Sequence, residues 1–127
     1  FFMIILFFID FWRLRSAAWS RRFENSNKSG QYFGNGETFL FTIAPKAIKY
    51  DWAGKCRDPN SLSTSQQLFM SASNSSFSIG AGNGTGLFVN ELAKGETNHC
   101  ETFDNQPLTS SSETMFEISV VEVIAFS

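Results

Sequence analysis

Histidine, cysteine and charge are scarce in this sequence, and each shortage removes a class of function. One histidine, His99, and two cysteines, Cys56 and Cys100, stand in 127 residues. A structural zinc site needs four nitrogen or sulfur ligands, and no Cys-x-x-Cys spacing is present. A disulfide between the two cysteines is arithmetically open, but nothing else speaks for an oxidising compartment. Charged residues make up 17% of the chain and the net charge is −2. That balance gives no whole-molecule attraction to nucleic acid or anionic lipid. Apolar runs are short as well. The opening run, Phe1–Ile9, falls well below the roughly 20 residues of a spanning helix. Arg13, Arg15, Arg21 and Arg22 follow this run, whereas a secretory signal places its basic residues in front.

Phenylalanine is what the chain has in excess, with fifteen against three Trp and two Tyr. The length fits one domain and suffices for a core without disulfide or metal staples. The opening on Phe1 rather than Met sets the expectation of a fragment, a processed piece or a gene-model boundary. Three readings of Phe1–Ile9 stand: a fully buried strand, foreign sequence, or the tail of a longer membrane or amphipathic segment. Periodicity does not separate them. The sequons at Asn27, Asn74 and Asn83 are what a chain rich in Ser and Asn contains by chance.

Charge is unevenly placed. Residues 1–30 carry a net +3, residues 31–90 a net +1 and residues 91–127 a net −6. The acidic last third is a solvated surface or an electrostatic docking face. Strand signals are good from residue 37 onward. Phe39, Phe41 and Ile43 share one face of Glu37–Ile43, with Thr38, Leu40 and Thr42 on the other. Ile48, Tyr50 and Trp52 alternate with Lys49 and Asp51. Gly54–Gln67, with Asp58-Pro59-Asn60, reads as a loop. Leu68–Ala72, Phe77–Ile79 and Leu87–Val89 read as short strands, and Phe116–Phe126 as a long one. Short helices are expected at Ala17–Glu24 and, as a single turn, at Ser110–Glu113. Strands at this spacing without intervening helices predict an antiparallel sandwich. In the last strand Glu122 shares the parity of Phe116, Ile118, Val120, Ile124 and Phe126. Either a bulge shifts the register or Glu122 points inward with a partner.

Chemical motifs are weak. The string Gly80-Ala81-Gly82-Asn83-Gly84-Thr85-Gly86 fails the dinucleotide fingerprint, because Thr85 occupies the third glycine position. It also lacks the Gly-Lys-Ser/Thr of a phosphate loop. It reads as a tight turn using positive φ or close backbone approach. His99 and Cys100 are neighbours, which in an extended segment project to opposite faces and make a poor nucleophile pair. Cys100 reads as a small core hydrophobe. A carboxylate pair of Glu37 and Glu122 has nothing in the sequence to bring it together. The basic patch Arg13, Arg15, Arg21 and Arg22, interleaved with Trp12 and Trp19, reads as a solvated face.

Several phrases nevertheless stand in a specific order. They are Tyr32-Phe33-Gly34-Asn35-Gly36-Glu37-Thr38-Phe39-Leu40-Phe41, the glycine string at 80–86 running into Gly86-Leu87-Phe88-Val89, and Gly95. Cys100-Glu101-Thr102-Phe103-Asp104-Asn105 follows with Pro107 and Leu108, then Phe116-Glu117-Ile118 running to Val121-Glu122-Val123 and Phe126. Together they resemble the TLDc domain, also called the TBC/LysM-associated domain, over residues 16–127. Ala18-Trp19-Ser20-Arg21-Arg22 before Tyr32-Phe33-Gly34 is similar to the skywalker type of TBC-bearing trafficking proteins. The family usually has glycine where Ala81 and Asn83 stand, and Trp at Phe88 and Ile124. Its strand just before Ser16 is not matched by residues 1–15.

The resemblance implies a mainly β, two-sheet antiparallel β-sandwich with short flanking helices, truncated at its N-terminal side. Residues 1–15 are then an unmatched apolar segment and 16–127 a partial TLDc domain. It further implies a non-enzymatic interaction domain without cofactor or metal, related to oxidation resistance proteins. Its partner would be a protein, a subunit of the vacuolar proton pump (V-ATPase) above all, with no nucleic acid and no transmembrane span. Its place would be the cytoplasm, at endosomal, lysosomal or synaptic vesicle membranes. The carried-over motif positions, structural or interacting, are Gly34, Gly36, Glu37, Gly82, Gly84, Gly86, Gly95, Cys100, Phe103, Asn105 and Glu122. The alternative from another class is a thiol antioxidant using Cys100 or Cys56.

Overall fold

The computed structural model describes residues 32–73, 75–109 and 112–121, together with the backbone of 3–7. Eight strands form two antiparallel sheets. The first contains β1 (Met3–Phe7), β2 (Phe39–Ala44) and β3 (Ile48–Tyr50), in that spatial order. The second is a meander of β4 (Met70–Ala72), β5 (Ser76–Ile79), β6 (Leu87–Asn90), β7 (Lys94–Glu96) and β8 (Met115–Glu117). The opening apolar run thus holds a strand, which pairs Ile5 with Phe41 and Phe7 with Phe39.

Alternation along β2 sorts its side chains in a way composition alone does not suggest. Thr38, Leu40 and Thr42 face the core, with Leu40 fully buried. The Thr42 hydroxyl is satisfied by donating to the Lys46 carbonyl at 2.7 Å. Phe39 and Phe41, expected as core packing residues, lie on the opposite face and are half-buried. Phe39 there receives the Lys49 ammonium 4.4 Å from its ring centre, a contact in which a cation offsets the exposure of an aromatic face.

In the second sheet the inward row is Met70, Ala72, Phe77, Ile79, Leu87, Val89, Gly95 and Phe116, and the strand period of two sends their neighbours outward. Leu40 of the first sheet joins Met70, Ile79, Leu87 and Val89 of the second in one core, completed by Phe69, Cys100, Phe103 and Leu108. Burial of each such aliphatic or aromatic side chain is worth about 1.5–3 kcal/mol.

Three expectations need correction. β7 was not anticipated, because Lys94-Gly95-Glu96 has no apolar alternation. It is a strand because its backbone bridges β6 and β8. Gly95 leaves the space that the Phe116 ring fills, and a Cβ there would collide with that ring. The long last strand is cut short. β8 ends at Glu117, Ile118 donates its N–H to the Ala93 carbonyl at 2.7 Å, and residues 119–121 leave the ladder. Ser112 and Glu113 are not helical. Residues 17–24, Ser110, Ser111, Asn27, Asn74, the four arginines at 13–22 and residues 122–127, with Glu122 and Phe126, lie outside the described residues. The Gly54–Gln67 loop is as expected, with two single 3-10 turns at Pro59–Ser61 and Ser65–Gln67. The first is capped by the Asp58 carboxylate, which accepts the Asn60 N–H at 3.0 Å.

Candidate functional site

The glycine string joins β5 to β6 and folds down onto the turn Asn98–Asn105. Gly80 (φ 82°), Gly82 (φ 91°) and Asn83 (φ 55°) all take the left-handed region, which glycine and asparagine adopt at least cost. Gly80 is doubly constrained, since a Cβ there would stand 2.5 Å from the Cys100 sulfur. Backbone bonds then stitch the two segments. Glu101 and Thr102 donate to the Ala81 carbonyl at 2.9 and 3.3 Å, and Asn98 donates to the Thr85 carbonyl at 2.9 Å.

Three buried polar side chains complete the fastening. The Thr102 hydroxyl accepts the Ala81 N–H at 2.9 Å. Its own proton is within reach of the Ser65 and Leu68 carbonyls, both at 3.0 Å. The Thr102 carbonyl accepts the Ala53 N–H at 2.9 Å, so this residue ties four stretches of chain. Asn105 accepts from the Cys100 N–H at 3.2 Å and from its thiol at 3.1 Å. Its amide donates to the carbonyls of Asn98 and Gln106 at 2.9 and 3.0 Å. Thr97 donates to Gly86 at 2.6 Å and accepts from Leu108 at 3.0 Å. Among the described residues every buried side-chain nitrogen or oxygen has a partner. That full satisfaction makes a polar interior affordable in energy and specific in geometry.

Acids decorate the outside of this knot. The half-buried Glu101 carboxylate accepts from the Asn83 amide and the Ser63 hydroxyl, each at 3.3 Å. His99 Nε2 and Asp104 Oδ1 are 2.8 Å apart on the surface. His99 is exposed while Cys100 has 0% exposure, so the two neighbours do point apart. Burial pushes the Cys100 thiol above its ordinary value of 9.0, only partly opposed by hydrogen bonds from the Phe103, Thr102 and Gly86 backbone and the Thr102 side chain. A thiol that is inaccessible and held protonated is a packing group, since reaction needs the thiolate. Cys56 is exposed and neither cysteine is in a disulfide.

The remaining motif positions sit elsewhere. Gly36 and Gly54 flank the indole of Trp52, where a Cβ on Gly36 would overlap the ring and one on Gly54 would approach it to 2.5 Å. The indole N–H donates to the Gln66 carbonyl at 2.7 Å, and the ring meets Phe69 edge-on at 5.5 Å. Gly34 lies against Met70 and Phe69. Glu37 is exposed, its N–H donating to the Asn35 side chain at 2.9 Å. The fold therefore brings Gly82, Gly84, Gly86, Cys100, Phe103 and Asn105 together, and places Gly34, Gly36 and Glu37 at the Trp52 side. Gly95 is on β7. Sequence reasoning missed Thr97, Thr102 and Trp52; a threonine between Glu101 and Phe103 carried no periodic signal. Among the described residues no group of three His, Cys, Asp or Glu is placed to hold a metal. No helix there is long and apolar enough to cross a membrane.

Two antiparallel sheets, with a glycine loop stitched to a Cys-Glu-Thr-Phe-Asp-Asn turn, define a mostly β domain fastened through its loops. The chain belongs to the TLDc-domain family, whose model matches residues 15–127. It is 40% identical to the GTPase-activating protein skywalker of Drosophila melanogaster over 114 residues, covering 87% of this chain and 19% of that protein. It is 33% identical to TBC1 domain family member 24 of Xenopus tropicalis, covering 87% of this chain and 26% of that one. Oxidation resistance protein 1 of Bos taurus is 29% identical, over 91% of this chain and 12% of its own length. The chain thus spans a quarter or less of the two trafficking-type relatives it matches at higher identity.

Proposed function

We propose that this chain is a non-enzymatic protein-interaction domain that binds and regulates the V-ATPase in oxidative-stress protection and vesicle trafficking. The observation that carries the reading is the TLDc match over 15–127, with a relative named for oxidation resistance. On this reading residues 16–127 are the TLDc unit and residues 1–15 an added apolar segment. The GTPase activation in the skywalker relative's name belongs to a part of that protein outside the matched portion. The motif glycines together with Cys100, Phe103, Asn105 and Glu122 are structural. The acids Glu101 and Asp104 around the knot face the partner. The setting is cytoplasmic, at endosomal, lysosomal or synaptic vesicle membranes, reached through the partner. A pull-down of the full chain with purified V-ATPase subunits tests this. Enrichment over a control with a scrambled loop surface is expected, and equal recovery overturns the reading.

The thiol-antioxidant alternative is narrowed to Cys56, because Cys100 is buried and protonated. Peroxide protection that survives Cys56→Ser removes it.

A further inference from the structure

We propose that the outer face of the five-stranded sheet docks a basic amphipathic helix of a protein partner. This rests on the interaction reading above and deepens it by assigning a surface and a partner chemistry. The register places one continuous cross-strand row over all five strands: Ser71, Ser78, Phe88, Glu96 and Met115. Their inward neighbours fill the core, so this row lies on the other face.

The solvent face of an antiparallel sheet is ordinarily polar. Here Phe88 sits at its centre, half-buried, and Met115 at its edge is 67% exposed. Beside Phe88 the side chains are small. Ser71 and Ser78 satisfy each other at 2.7 Å, which keeps the hydroxyls low and leaves a step against the ring. Leu92, 72% exposed, stands in the turn between β6 and β7.

The charge on this face is acidic. Glu96 and Glu117 both project outward, and the one base, Lys94, is engaged with Glu117 at 3.0 Å. An apolar strip with an acidic border calls for a partner with an apolar ridge flanked by Lys or Arg. A helix suits it better than an extended segment. The strand backbones are hydrogen-bonded within the ladder, so the face offers side chains and no main-chain groups to a partner.

The test uses the full chain, isotope-labelled, titrated with a helical Leu/Lys peptide and with the same peptide carrying Glu for Lys. Expected are amide shifts at Ser78, Phe88, Glu96 and Met115 with the basic peptide and none with the acidic one. Met115→Glu, an exposed change that leaves the melting temperature in place, lowers peptide affinity about tenfold. Glu117→Lys lowers it about threefold. Shifts that centre on the 80–86 loop, or unchanged affinity in both variants, overturn the proposal. V-ATPase pull-down separates it from the broader reading. If the parent chain and Met115→Glu enrich subunits equally, the face is wrong and the interaction reading stands. If the peptide maps to the face and no subunit is enriched, the named partner is wrong and the face stands.

Discussion

The knot around Asn105 and the clamp around Trp52 hold the same loops by opposite means. At the knot, the 80–86 loop is fixed by buried amides and hydroxyls, and apolar contact is secondary. At the clamp, one indole fills the space left by Gly36 and Gly54, with a single hydrogen bond to Gln66. Glycine serves both but for different reasons. Gly80 supplies a left-handed backbone as well as room for sulfur. Gly36 supplies room alone. Polar fastening is brittle, because removing one partner orphans several others, whereas an apolar clamp loses energy in proportion to the contact removed.

That contrast can be broken in order of effect. Gly80→Val meets both the positive φ and the Cys100 sulfur, and a loss of about 4 kcal/mol is expected from strain and overpacking together. Chemical denaturation that finds less than half of this removes the double constraint. Asn105→Leu keeps the volume but orphans the Cys100 N–H and the Asn98 carbonyl, for about 3 kcal/mol. A near-neutral result makes the knot apolar after all. Gly36→Val has only steric conflict with Trp52, and about 2 kcal/mol with a shifted Trp emission is expected. An unchanged melting temperature contradicts the clamp. Trp52→Phe retains much of the packing and loses the indole hydrogen bond, at about 1 kcal/mol.

The smallest effect is a pH slope. The folded Cys100 thiol holds its proton more tightly than the unfolded chain does. Its contribution is therefore intact below the ordinary value of 9.0 and is lost as pH rises past it toward the higher folded value. Denaturation midpoints measured across that window should fall for the parent chain and fall less for Cys100→Ala. Equal slopes in the two place the thiol in contact with water.

Strands β2 to β6 were legible because their apolar residues alternate within a few positions, a signal confined to the strand itself. Which face of β2 turns inward was not legible. Phenylalanine is the stronger hydrophobe, yet Leu40 fits under Gly86, where a Cβ would come within 2.7 Å of it. That fit is set by chain 46 positions away. β7 was hidden for the same reason, its strand character resting on two neighbours and on the Phe116 ring. The Cys100–Asn105 phrase was visible as a block. The roles within it were not, since Thr102 finds its carbonyl partners 34 and 37 residues upstream.

The stitched loop also bears on how the molecule breathes. Irregular surface segments usually exchange their amide hydrogens with solvent quickly, ahead of strands. Here the N–H groups of Ala81, Cys100 and Leu108 are bound to the side chains of Thr102, Asn105 and Thr97. They open only when those side chains let go. Deuterium uptake at these loop positions should therefore be as slow as in β5 and β6, so that the chain's most protected unit includes a stretch with no secondary structure of its own.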